Sequence, residues 1–197
     1  MSGLLVERST TLIQLQDSGR FGTRQLGVTQ GGATDWISMF WANWLLGNPL
    51  GAAVIEITLG GLSLIAQQDA CLALAGADLG ATLDGQPIQP WRSFLVRRDQ
   101  RLVFRQPIQG ARAYLAAPGG FDATPTMGSK STVCREGLGG LHGSGQALAI
   151  GDRLRWSNTS PAPRELEANR IPDLSPAKPL ETVLGAQIAD FAGQSLF

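Results

Sequence analysis

The chain has 197 residues, 43% of them hydrophobic, with 16 basic and 16 acidic side chains and a predicted pI of about 6.6. That length suffices for one cored domain and part of a second. Zero net charge argues against a nucleic-acid surface, which would carry a basic excess, and no apolar run reaches the ~18 residues of a membrane helix.

The N-terminal MSGLLVERS has no basic stretch ahead of a long apolar core, so no signal peptide is expected. Cys71 and Cys134 lie far apart and lack a CxxC partner, which favours a reduced, cytoplasmic protein without a zinc site or disulfide framework. With 25 Gly and 11 Pro, many turns between short strands are expected rather than a helical bundle.

Two short β-prone runs, LLVER and TLIQL, open the chain on either side of Ser9-Thr10. Gln16-Asp17-Ser18-Gly19-Arg20-Phe21-Gly22 then demands a turn, read alone as one with solvated Asp17 and Arg20 paired to each other. After Gly31-Gly32, Ile37, Phe40, Trp41 and Trp44 fall on one face of a helix over about 34–46. Thr34 or Asp35 caps its start and Gly47 closes its end. The aromatic stripe is assigned to core packing, with Asn43 pointing away from it.

Ile55 to Leu59 alternates strictly, placing Glu56 and Thr58 opposite the isoleucines. Gly60-Gly61 reads as a hairpin turn returning through Leu62 to Ala66. Further strands are expected at 71–75, 79–83 with an Asp84-Gly85 turn, 94–96, 102–104 and 113–116, a spacing of ~8–12 residues typical of a sandwich or barrel. Gly128 to Thr132 and Gly137 to Gly145 tempt a phosphate-loop reading. Ser129 separates Gly128 from Lys130, and His142 stands where a third glycine would be needed, so both are expected to be turns. His142 is the single histidine and is assigned to a loop. A strand follows at 153–156.

From 158 the composition changes. Pro161, Pro163, Pro172, Pro176 and Pro179 mark a linker over 158–179. A strand over 179–184 and a helix over 187–191 would begin a second unit at 180–197 that this chain does not complete.

The segment Thr11-x-x-Gln14-Leu15-Gln16-Asp17-Ser18-Gly19-Arg20-x-Gly22 resembles the opening motif of the KipA family, also called the biotin-dependent carboxyltransferase-like or allophanate hydrolase subunit 2 family, which includes the C-type subunit of 5-oxoprolinase (PxpC). The resemblance continues in family order through Gly31 to Asp35, Ala42-Asn43-x-Leu45-Leu46-Gly47-Asn48, Glu56-Ile57-Thr58, Ala75 to Asp78, Tyr114 to Gly120, Gly128 to Thr132 and Gly151-Asp152. Gly31 stands where the family usually has Ser, and Pro118 where it has a small residue.

The resemblance implies a mainly β, cyclophilin-like β-barrel over 1–157 with one amphipathic helix. It implies a subunit of an ATP- and Mg²⁺-dependent 5-oxoprolinase that opens 5-oxoproline to glutamate. Its partners would be a KipI-like (PxpB) and a LamB/YcsF-like (PxpA) subunit, without nucleic acid or membrane. By itself the shortened chain is expected to be inactive. Such chemistry needs cation and amide donors at a developing oxyanion and carboxylates to place water or metal. Asp17, Arg20, Asn43 and Glu56 are the implied catalytic groups. Arg24, Asp35, Asn48, Asp78, Ser129, Ser131 and Thr132 are implied for substrate or ATP, and no residue is implied as a resident metal ligand. The family offers two alternatives. One is the carboxyltransferase part of a biotin-dependent urea carboxylase, although no Met-Lys-Met biotin acceptor occurs here. The other is a non-enzymatic regulator that binds a KipI-like protein.

Overall fold

The structure, a computed structural model, describes residues 3–157 and 163–174, with isolated positions 183, 185 and 190. The second unit expected from 180 onward, with its strand over 179–184 and helix over 187–191, lies outside the described residues except at those positions.

In chain order the elements are β1 (Leu4–Arg8), β2 (Ile13–Gln16), α1 (Trp36–Leu45), β3 (Val54–Thr58), β4 (Leu62–Ala66) and β5 (Ala70–Asp78). They continue with β6 (Thr82–Leu83), β7 (Gln86–Pro87), β8 (Arg92–Val96), β9 (Arg101–Phe104), β10 (Gln109–Ala116) and β11 (Arg153–Leu154). The mainly β architecture is as expected, and so is the single α-helix among the described residues.

One sheet has the order β11-β1-β4-β9-β6-β7 and the other β2-β3-β10-β5-β8, with antiparallel neighbours throughout. Between them lies the main core, which includes Leu4, Ile13, Leu15, Ile55, Ile57, Leu64, Leu72, Phe104, Leu115, Phe121 and Leu154. Each fully buried aliphatic or aromatic side chain there contributes about 1.5–3 kcal/mol over exposure. The isoleucines of β3 point into this core, as their alternation requires.

The other face of the second sheet is covered by α1, in a separate cluster of Met39, Ala42, Leu45, Val54, Cys71, Ala73, Ala75, Tyr114 and Ala116. Asp35 caps the helix by accepting from the Ser38 amide at 3.0 Å, and Gly47 follows its end at φ 69°. The expectation that the aromatic stripe packs in the core is corrected here. Trp36, Ile37 and Trp44 are 57%, 48% and 41% exposed. Phe40 and Trp41 of that stripe are half-buried against the cluster, while the face seated on the alanines of β5 and β10 is Ser38, Met39, Ala42, Asn43 and Leu45, so the stripe lies along the rim of the contact rather than at its centre.

A second correction concerns Gly60-Gly61, which forms no hairpin. β3 belongs to one sheet and β4 to the other. Leu59, Gly60 and Gly61 have φ of 62°, 82° and 85°, and this run of left-handed backbone turns the chain from sheet to sheet. The Asp84-Gly85 hairpin, joining β6 to β7, forms as expected.

Residues 163–166 lie along the edge strand β8. The Ser93 amide donates to the Arg164 carbonyl at 2.6 Å, the Leu166 amide donates to the Trp91 carbonyl at 3.0 Å, and Leu166 is buried in the helix-side cluster. An open sheet edge is thereby covered.

Candidate functional site

The motif residues gather into three hydrogen-bonded clusters around α1. The first joins the turn after β2 to the loop at 128–132. Asp17 Oδ1 accepts from Ser129 Oγ at 2.7 Å, Ser131 Oγ at 2.6 Å and the Gly19 amide at 2.7 Å, while Oδ2 accepts from the Lys130 amide at 2.7 Å. Thr132 donates through its hydroxyl and amide to the Leu15 carbonyl, at 2.8 and 2.9 Å.

Arg20 is 1% exposed, and its Nη2 donates to the Ser131 carbonyl at 2.7 Å. Asp17 and Arg20 are thus neither solvated nor joined by an ion pair, as the turn reading had them; each grips the 126–131 loop separately. A charged guanidinium is retained here because backbone carbonyls compensate its lost hydration.

The second cluster lies under the start of α1. Glu56, expected on an open face, is 6% exposed. Its Oε2 accepts from the Thr34 amide at 2.8 Å and the Tyr114 hydroxyl at 2.7 Å. That hydroxyl in turn accepts from the Asp35 amide at 2.8 Å. Burial, and then the Glu56 charge, push the Tyr114 phenol well above its ordinary range.

The third cluster is at the helix end. The Asn43 amide donates to the Leu50 and Ala52 carbonyls at 3.0 and 2.9 Å. Asn48 donates to Asn43 Oδ1 and to the Ala117 carbonyl, both at 2.9 Å, and accepts from the Gly119 amide at 2.7 Å.

The first two clusters meet through residues 30–34, where the Arg20 amide donates to the Gln30 carbonyl at 2.7 Å and the Ala33 amide to the Asp17 carbonyl at 3.0 Å. A cleft of about 370 Å³ opens there, lined by Asp17, Gln30, Gly32, Trp36 and Phe40 among others. Gly19 and Gly32 admit the crossing: a Cβ on Gly32 would come within 3.0 Å of the Ser18 carbonyl. An apolar groove of about 400 Å³ runs beside it over Trp36, Ile37, Phe40, Trp41, Trp44 and Leu50.

Two candidates stand apart. Arg24 is exposed in a 3-10 turn over Arg24–Leu26. Asp78 ends β5 and accepts from the Gly80 amide at 2.9 Å, beside a separate cavity of about 250 Å³. His142 is exposed, with Nε2 2.9 Å from Asp152 Oδ1, consistent with its assignment to a loop.

Sequence reasoning missed the roles of Thr34, Tyr114 and Arg112. A lone tyrosine in the Ala-rich run 111–117 was the available signal, since a buried phenol needs a hydrogen-bond partner.

The loop 128–132 does not fit a nucleotide phosphate. Its serine hydroxyls are taken by Asp17, and Lys130 Nζ donates to the Phe121 carbonyl at 2.9 Å. Among the described residues no group of three or more His, Cys, Asp and Glu side chains is placed to hold a metal ion, and no helix is long and apolar enough to cross a membrane.

Comparison with known proteins gives a consistent picture. The family model described as carboxyltransferase domain, subdomain A and B, matches residues 26–196. The chain is 40% identical over 151 residues to the C-type subunit of 5-oxoprolinase from Escherichia coli K12, covering 77% of this chain and 48% of that protein. It is 36% identical over 144 residues to the corresponding 5-oxoprolinase subunit of Haemophilus influenzae, covering 73% and 46%. The crystal structure of K. lactis urea amidolyase superposes with a TM-score of 0.80 at 29% identity, over 89% of this chain and 11% of that one. The chain thus spans about half the length of the 5-oxoprolinase subunits it matches, at 48% and 46%.

Proposed function

The chain belongs to the carboxyltransferase domain family, subdomains A and B, and from that membership we propose that it serves as the C-type subunit of an ATP-dependent 5-oxoprolinase. The assembly would open 5-oxoproline to glutamate together with a KipI-like and a LamB/YcsF-like subunit. One observation carries this reading: 40% identity to a C-type 5-oxoprolinase subunit over 77% of the chain.

The nucleotide and its Mg²⁺ belong to the assembly rather than to loop 128–132, whose polar groups are already engaged internally. What this chain supplies is a rigid wall. Asp17, Arg20, Asn43 and Asn48 fix the loops, and Glu56 keeps one carboxylate oxygen only weakly engaged. Such preorganisation orients a small substrate without further rearrangement. The chain alone is expected to lack activity.

A second reading, the carboxyltransferase part of a biotin-dependent urea carboxylase, is favoured by the superposition on urea amidolyase. The 197 residues contain no Met-Lys-Met acceptor.

Purification of the tagged protein from its own host separates the two. Co-purifying KipI-like and LamB/YcsF-like subunits, with ADP released only when 5-oxoproline is added, are the expected result. A biotinylated partner and no 5-oxoproline-dependent ADP release would transfer the case to urea carboxylation.

A further inference from the structure

Glu56 is unevenly satisfied. Its Oε2 receives the Thr34 amide and the Tyr114 hydroxyl at 2.8 and 2.7 Å, but Oε1 receives only the Thr34 hydroxyl at 3.4 Å. Arg112 Nε lies 3.9 Å from that same Oε1, beyond hydrogen-bond reach. This Nε is buried and has no hydrogen-bond partner among the described residues. A cation and a carboxylate held this way approach each other without gaining a charge-assisted bond between them, and a third polar group seated against both would supply the partner that Arg112 Nε lacks and a closer one for Glu56 Oε1. The Arg112 side chain as a whole keeps 40% of its surface exposed, so a solute can reach it from one side.

The backbone at Arg112 is specially placed. The ladder between β10 and β5 shifts register between Gln109 and Ala113. Opposite the shift stands Gly76, at φ 95°, where a Cβ would come within 2.6 Å of the Arg112 carbonyl. Bulges of this kind re-aim side chains and recur beside binding sites.

We infer that Glu56 and Arg112 together form a recognition site for a small ligand bearing a carboxylate and an N–H on the same carbon. The guanidinium fork takes the carboxylate, and Glu56 Oε1 accepts from the N–H. A lactam acid such as 5-oxoproline carries both groups on one α-carbon. The inference rests on the function proposed above and adds where in this chain the substrate is held.

Isothermal titration of the full chain, alone and with its co-purified partners, tests it with two probes. 5-Oxoproline has both groups, whereas 2-pyrrolidinone keeps the lactam N–H and lacks the carboxylate. The wild type is expected to bind 5-oxoproline more tightly than 2-pyrrolidinone. Arg112→Met should weaken 5-oxoproline binding at least about tenfold and leave 2-pyrrolidinone binding unchanged, because a hydrogen-bonded charge has been removed. Arg112→Lys keeps the charge without the fork and should fall between; it carries the comparison if the Met variant melts early. Equal 5-oxoproline affinity in wild type and variant overturns the inference, and so does a wild type that binds neither probe. Turnover of 5-oxoproline by the assembly with an unaltered KM in Arg112→Met would sink this site and leave the proposed function standing. No binding and no turnover in any assembly would remove both.

Discussion

Tyr114 is the chain's one tyrosine, and its hydroxyl links the start of α1 to a buried carboxylate, accepting from the Asp35 amide and donating to Glu56. Burial, then the Glu56 charge, raise its ionisation above the ordinary value of about 10. A raised folded value means the contribution to stability is complete below pH ~10 and is lost as pH rises further, because the unfolded chain ionises first. Tyrosinate absorbance should therefore stay flat on alkaline titration until the fold is lost; a smooth rise near pH 10 with tertiary structure intact would contradict this. Tyr114→Phe leaves the Asp35 amide and Glu56 without their partner and should cost about 1–3 kcal/mol in urea unfolding. At this scale the sequence singled out polar residues without distinguishing their work, and Arg24 and Asp78 among them stand apart from the three clusters. Asp17 and Arg20 are the residue types that acid–base and oxyanion chemistry require. They are equally the types that pin one loop to another, and only the partners around them decide.

The element most instructive about legibility is β3. Its alternation was readable, and Ile55 and Ile57 do face the main core. Its neighbours were not readable, because β2 and β10 are remote in sequence and are chosen by the layering of two sheets rather than by any local turn. Gly60-Gly61 satisfied every local rule for a hairpin and yet turns a corner. The corner is tightly built: a Cβ on Gly60 would stand 2.6 Å from the Arg105 carbonyl. Gly60→Ala should destabilise by about 2–3 kcal/mol in urea unfolding, combining left-handed strain with that clash. A cost near that of an exposed loop substitution would argue against the corner. Helix α1 was equally legible in extent and only partly in orientation, since Phe40 and Trp41 pack against the sheet while Ile37 and Trp44 do not. Periodicity ranks faces by hydrophobicity, whereas the alanines of β5 and β10 select by size.

On the scale of the molecule, the first strand is completed by one of the last. β1 pairs on one side with β4 and on the other with β11, and Leu154 is fully buried in the core that both sheets share. A chain ending at residue 150 should lose cooperative thermal unfolding by circular dichroism, since the β1 edge and the sites of Leu154 and Trp156 are vacated. Retention of a sharp transition at the full-length temperature would refute that dependence. The order of synthesis gives the same pairing a further meaning. β1 leaves the ribosome early, and at 5–20 residues per second it waits on the order of ten seconds for Arg153 and Leu154. During that interval an unpaired strand edge and half a core are in contact with the cell. The newborn protein is therefore most dependent on chaperone shelter just before the edge of the six-stranded sheet is completed.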